Sequence, residues 1–503
     1  MIFRTVTIAL AFVGLMVGAG VATGLETIQY FVSFGWIGIV GIAVAGAIIS
    51  VTGLVIIQLG SYYLADDHST VFESITYKWV ARLIDVMVTL TVFALGFVMI
   101  AGAGSTMNQQ FGWPMWAGAL LMVVLTLITG LLNVDKVINI IGWITPLIVG
   151  AVIVVFVYAL THLPVDVAEL NQIAQGEPSA MSNWWISSFN YAGLVLITAV
   201  SMMLVIGGSY VNPREAGLGG LVGGLTLTGL LLLLGTAMFL QIDAVAGVGV
   251  PNLALFNAIH PALGTILVWI IYAMIFNTCV GQYYALGRRL SAGRKKRFYP
   301  IFATMVLIGF GVSFVGFEAL MANVYPVIGY AGIVLAVIMV VAYLRDRPKI
   351  AVETHRRIQL RALFTKREHP EEKFCREDAH ELESLADTVA HDGQELRERI
   401  ATEVAEELHR DGSIEYDMPA DIRYIARKLS PEEIEALPAG DVRTQLLHTQ
   451  GAAVPEIAEP ELTGADVRAL AEMVSLEKIE RLPEGAIKDA LLEAKRTHLA
   501  SSS

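Results

Sequence analysis

Residues 5 to 33 form an apolar run long enough to cross a bilayer, yet Gly18, Ala19 and Gly20 interrupt it, Gly24 follows, and then comes an acid, Glu26. Hydrocarbon offers no water to unpaired backbone, so a glycine-broken helix at membrane depth is tolerated only where it faces protein or a polar cavity. An acid at that depth costs about 2.5 to 3.5 kcal/mol on insertion scales unless it pairs or meets water. The run therefore reads as a binding-site helix, with Glu26 as its leading functional residue. The competing reading of Glu26 is a protonated structural acid hydrogen-bonded across helices.

Charge divides the chain of 503 residues in two. Residues 1 to 349 hold 14 basic and 13 acidic residues, whereas 350 to 503 hold 20 and 33. The expected organisation is a membrane domain over 1–349, a linker over 350–373 and an acidic, soluble helical domain over 374–503. The membrane domain divides into ten apolar runs: 5–33, 36–61, 82–107, 114–133, 138–160, 185–211, 217–242, 262–287, 299–317 and 322–344. With ten spans, Arg4, Lys78, Arg82, Lys136, Arg214, the cluster from Arg288 to Arg297, and Arg345, Arg347 and Lys349 all fall on one face. Short basic loops stay in the cytoplasm, so both termini are expected there, in a multi-pass protein of the cell (inner) membrane. The first run is too long for a signal-peptide core, and no cleavable signal is expected.

Cys279 and Cys375 form neither a disulfide framework nor a CxxC pair, and the ten histidines make no HxxH or HExxH array, so neither a metal nor enzymatic catalysis is expected. Asp85 lies one turn from Arg82, which reads as an ion pair near a helix end. Five spans per half suggest an inverted repeat in which the first helix of each half is interrupted. The sixth run carries Ser188, Asn190, Gly193, Thr198 and Ser201 within apolar surroundings. Such residues serve close helix packing as readily as ligand binding. VDVAELNQIAQGEPSAMS, ahead of that run, has room for a short helix, and DAVAGVGVPNLALFNAIHPALG, ahead of the eighth, has the length of a gating hairpin.

VGAGVATGLETIQYFVSFGWIGIVGI resembles the opening signature of the YkvI-type bacterial membrane proteins. Trp116 to Gly118, Asn139 with Thr145, Pro146 and Leu147, Pro213 to Gly220, and Val324 to Ile333 look like further landmarks. That family is similar to the amino acid, polyamine and organocation (LeuT-fold) transporters, whose fold is a five-plus-five inverted repeat with substrate between broken first and sixth helices. The resemblance implies that Gly18, Ala19, Gly20 and Val21 form the unwound segment that offers backbone amides to substrate. It also implies a coupling cation between the first and eighth helices. Asn277 and Thr278 match that position, although Cys279 follows where relatives carry a second hydroxyl, which leaves proton coupling through Glu26 open.

In the tail, Leu382, Leu385, Val389, Leu396, Ile400, Val404 and Leu408 recur at helical spacing around a turn near Asp392 and Gly393. Residues 421–447 and 466–492 then repeat with a period of 45, each a serine-started helix, a Leu-Pro-x-Gly turn and a second helix. An acidic helical tail suits a cytosolic protein partner or self-association, and argues against nucleic acid or an anionic lipid surface.

The sequence thus points to an all-α, polytopic membrane protein with a small soluble helical domain. It reads as an ion-coupled secondary transporter, using Na+ or H+, of a small organic solute, amino acids among the candidates. Substrate contacts are expected at Gly18, Ala19, Gly20, Val21, Asn190, Gly193, Thr198 and Ser201, and ion coupling at Glu26, Asn277 and Thr278; no cofactor is expected. The alternative is a membrane-embedded solute receptor that signals through its tail.

Overall fold

The computed structural model describes residues 2–131, 144–163, 166–291, 294–368 and 376–387, with scattered positions beyond. Every regular element among them is helical. Chain contacts separate two units, Met1–Ala351 and Val352–Ser503.

The first apolar run becomes three helices, α1 (Ile2–Met16), α2 (Ala19–Thr23) and α3 (Leu25–Tyr30). The chain continues through α4 (Trp36–Tyr62), α5 (His68–Ile75), α6 (Lys78–Phe111), α7 (Met115–Thr129) and α8 (Ile144–Thr161). The second half begins with a short α9 (Val167–Gly176) in the loop where one was expected, followed by α10 (Trp184–Gly208) and α11 (Pro213–Leu240). The loop before the eighth run folds into α12 (Ile242–Val245) and α13 (Pro251–Ile259). After it come α14 (Pro261–Leu290), α15 (Lys295–Ser313) and α16 (Phe317–Glu368). Among the described residues six helices are long and apolar enough to cross a membrane: α4, α6, α10, α11, α14 and α16. The first, fourth and fifth runs give shorter apolar helices.

Local chemistry sets several of these boundaries. Asn212 caps α11 by accepting from the Arg214 and Glu215 amides, with Pro213 at the first helical position, and His260 and Pro261 open α14 likewise. α4 lies along α10 and α11, α1 lies on α11, and α6 packs against α7, α14 and α15. Close approach depends on small residues, as where Gly53 of α4 meets the backbone of Gly220 in α11. Large apolar side chains such as Val51, Leu90, Leu225, Ile266 and Val341 remain exposed, as lipid contact requires.

The structure corrects three expectations. The sixth run is not interrupted: α10 is one continuous helix, free of proline, in which Ser188 and Thr198 bond back to the Trp184 and Val195 carbonyls. In the first run the unwound positions are Val17, Gly18 and Gly24, while Ala19, Gly20 and Val21 are helical. Of the expected linker over 350–373, residues 350–368 are helical, as the last part of α16. Finally, Asp85 pairs with Arg289 of α14 at 3.1 Å and with His68 of α5 at 3.4 Å instead of with Arg82, because α5 and α14 bring those groups to the start of α6.

In that last cluster His68 Nδ1 faces Asp67 at 2.7 Å, and Arg289 reaches Nε2. Burial first, and then the Arg289 charge, hold the imidazole below the ordinary histidine value against the pull of Asp67 and Asp85. The unfolded chain therefore binds this proton more readily, so stability is lost as pH falls below about 6.5. Thermal unfolding in detergent is expected to show a midpoint that drops between pH 7.5 and 5.5, with His68→Asn flattening that slope.

In the second unit, Arg357 and Glu353 form a buried pair one turn apart at 2.8 Å, and Lys366 bonds Asp378 at 2.7 Å. Helix α17 (Arg376–Asp387) places Leu382 inside, and Leu396, Ile400 and Val404 are buried too. Cys375, the turn near Asp392 and Gly393, and both repeat copies lie outside the described residues.

Candidate functional site

Two breaks in the first helix create the candidate site. At the first, Val17 and Gly18 leave helical geometry, and Gly18 faces Thr278 of α14, whose Oγ1 lies 3.8 Å from the place a β-carbon would take. Thr278 donates that hydroxyl to the Met274 carbonyl at 3.1 Å, so its oxygen lone pairs stay available, and Asn277 beside it is partly exposed. The second break is at Gly24, where φ is +84°, a left-handed conformation that glycine adopts without strain. This turn lets α3 leave α2 at an angle and brings the Glu26 side chain back over α2. A β-carbon at Gly20 would fall on the Glu26 carboxylate, so glycine there is what makes room for the acid.

Glu26 is the only residue from Ala19 to Ser33 that is not buried. Its carboxylate meets the Tyr325 hydroxyl of α16, and the Tyr30 and Tyr191 hydroxyls lie within electrostatic range. Tyr30 and Tyr191 have ring centroids 5.4 Å apart, and Phe31 meets Tyr191 edge-on at 4.9 Å. Among the described residues no Lys, Arg or His forms an ion pair with Glu26. An acid left without a basic partner at this depth is costly.

Asn190 connects three elements: it accepts from the Tyr30 hydroxyl at 3.1 Å and donates to the Pro326 carbonyl at 2.9 Å. Ser187 adds a bond of 2.6 Å to the Tyr30 carbonyl, which fixes α10 to α3. Gly193 has a different task. Its α-carbon is pressed against the Gly329 carbonyl and the Ile333 amide, so it is occupied by helix packing. Thr198 and Ser201 lie eight and eleven residues beyond Asn190 along the continuous α10, about 12 and 16 Å away at 1.5 Å per residue. Of the substrate contacts expected on the sixth run, Asn190 alone meets the residues around Glu26.

Asn252 of α13 went unnoticed in the sequence. It is 6% exposed, and its Nδ2 donates to the Val21 and Ala22 carbonyls at 2.8 and 2.9 Å, taking up two acceptors at the end of α2. A Pro-Asn step in an otherwise apolar loop was its only signal. Asn252→Ala is expected to cost about 1–3 kcal/mol by leaving those carbonyls buried without donors. Denaturant unfolding of the purified protein would measure the loss, and Asn252→Asp, which also lacks the donor, should share it. Among the described residues no cluster of His, Cys, Asp and Glu could hold a metal ion.

No family model matches the chain. The resemblance noted in the sequence is met by two curated proteins of Bacillus subtilis (strain 168). The uncharacterized membrane protein YkvI is 25% identical over 329 residues, 65% of this chain and 92% of the relative. The uncharacterized protein YyaD is 24% identical over 331 residues, 65% of this chain and 94% of the relative. Among solved structures, MhsT in complex with L-phenylalanine is 15% identical with a TM-score of 0.47, covering 79% of this chain and 95% of that one. Mhp1, a nucleobase-cation-symport-1 family transporter, is 11% identical in its closed conformation with a TM-score of 0.47, covering 78% and 96%. The chain is thus similar in sequence to YkvI, an uncharacterized membrane protein, and to YyaD.

Proposed function

We propose that the protein is an ion-coupled secondary transporter of a small organic solute, working by alternating access in a five-plus-five arrangement of ten spans. One observation carries this reading: the first membrane helix is broken twice, and just beyond the second break it holds an acid with which no Lys, Arg or His among the described residues forms an ion pair. A purely structural acid would be sealed and hydrogen-bonded on all sides. One with neither a basic partner nor such a seal serves an ion or solute path. The Gly18 and Thr278 pair is the second place where a coupling ion would bind, with Asn277 beside it.

The protein would lie in the cell membrane with both termini in the cytoplasm, and residues 374–503 would act as an interaction or self-association domain. The test is uptake of radiolabelled amino acids and amines into proteoliposomes under sodium and proton gradients imposed separately. Accumulation that needs one gradient supports transport, and a chain ending before residue 374 should retain it. Binding without accumulation of any solute under either gradient would overturn the reading.

A further inference from the structure

Basic residues gather where α6, α14 and α15 meet. Positions 76–90 and 284–303 hold eight lysines and arginines and a single acid, Asp85. Packing joins the two stretches: Arg289, at the end of α14, reaches Asp85 at 3.1 Å and Thr89 at 2.9 Å near the start of α6. Tyr284 of α14 meets Phe298 of α15 with ring centroids 5.0 Å apart, and the Arg294 amide donates to the Ser291 carbonyl at 3.0 Å. Asp85 is used up inside this cluster by Arg289 and His68. Lys78, Arg82, Arg288, Arg294, Lys296 and Arg297 are exposed, and among the described residues none of them forms an ion pair.

Like charges gathered in this way repel one another unless an anion lies among them. The first turn of α15 adds to that cost. It carries Lys295, Lys296 and Arg297, no acid and no capping side chain, so cationic residues open the helix at the end where its dipole favours anions. α6 opens on Lys78, also without an acid or a side-chain cap.

The adjoining surface shows what kind of anion fits. Along α6, Trp79, Arg82, Leu83, Val86 and Leu90 are all exposed, at spacings of three and four that put them on one stripe. Val86 and Leu90 are more than half exposed, as lipid contact requires, and Trp79 is 69% exposed, as suits an aromatic side chain at headgroup depth. Arg82 thus lies one turn from the aromatic residue on one side and one turn from the apolar ones on the other. On α15 the same order recurs: Leu307 and Ile308, eleven residues beyond Lys296 and Arg297 and so on the same faces, are exposed. A soluble acidic segment, the chain's own tail included, would have to enter the lipid to reach this position.

We propose that the joined ends of α6, α14 and α15 bind the phosphate of an anionic phospholipid, with its acyl chains along the apolar stripes of α6 and α15. The site requires only that the protein lies in a membrane, whatever it carries. One phosphodiester accepts from guanidinium and ammonium groups on several helices at once, so a bound lipid ties the three helix ends together.

The experiment uses the purified full-length protein in a neutral detergent. Its probes are dioleoylphosphatidylglycerol and dioleoylphosphatidylcholine, which share acyl chains and phosphate and differ in net charge. Native mass spectrometry should show phosphatidylglycerol retained about tenfold over phosphatidylcholine, and phosphatidylglycerol should raise the thermal midpoint where phosphatidylcholine does not. Arg82→Gln and Arg297→Gln should each lower that retention about fivefold, the contribution of one basic residue near an anionic lipid surface. Arg214→Gln, which removes the same charge from an exposed position on α11 outside the cluster, should leave it unchanged. Equal retention of the two lipids by the wild type would overturn the proposal, as would an equal loss in Arg214→Gln. Displacement of the lipid by inorganic phosphate would overturn it in favour of a free-anion site. Carbodiimide coupling of Lys78 or Lys296 to an acid of residues 374–503, undiminished by phosphatidylglycerol, would overturn it by putting the tail on the cluster. The wild-type comparison of the two lipids holds even if a variant fails to fold.

Discussion

Replacing Glu26 with glutamine is expected to abolish gradient-driven solute accumulation in proteoliposomes while leaving the protein folded. The two side chains have nearly the same shape, and an amide oxygen can still accept from the Tyr325 hydroxyl that meets the carboxylate. The space opposite Gly20 is filled equally well by either. What disappears is the capacity to hold a negative charge or carry a proton, and no neighbouring acid replaces it: Asp85 is tied to Arg289 and His68. Uptake should fall to the level of empty liposomes, and the thermal midpoint should shift by only a few degrees, as expected for a change below about 1 kcal/mol. Wild-type accumulation by the glutamine variant would remove Glu26 from the coupling step and shift attention to Gly18 and Thr278. Comparable loss of uptake and of folded protein would identify the acid as structural.

The second large effect is expected at the crossing of α10 and α16. A β-carbon on Gly332 would fall on the Gly193 carbonyl, and one on Gly193 would fall on the Gly329 carbonyl, 2.7 Å from the Ile333 amide. These are contacts of backbone with backbone, so no side-chain rotation relieves them and the helices must separate. Such overpacking costs about 1–3 kcal/mol and more where the neighbours are rigid. Gly332→Ala and Gly193→Ala should therefore lower the thermal midpoint markedly, while Gly281→Ala, with open space around its α-carbon, should not. Because Asn190 donates to the Pro326 carbonyl across the same crossing, a separation there also disturbs Tyr30 and the surroundings of Glu26. A Gly193 variant with unchanged stability and altered solute binding would instead restore Gly193 to the substrate contacts.

Much of this arrangement was legible in the chain because the relevant physics is local. Apolar length marked the membrane runs, and the spacing of glycines ahead of Glu26 marked the broken helix. The sixth run misled because serine, threonine and glycine have two uses in membrane helices. In α10 their hydroxyls bond to carbonyls and Gly193 admits α16, so the helix stays whole. Asp85 misled for a related reason: helical spacing presents Arg82 as a neighbour, but Arg289, some two hundred positions away, reaches it from another helix.

The sequence by itself determined the all-helical class, the acid at membrane depth and the glycines that break the helix before it, because each depends on covalent chemistry and distance along the chain. Only the tertiary structure decided what surrounds that acid. Tyr325 comes to Glu26 from α16, Asn190 reaches Tyr30 from α10, and Asn252 takes up the Val21 and Ala22 carbonyls from α13. Those partners lie 160 or more residues apart, and the geometry of helix packing, which no local pattern encodes, is what brings them together.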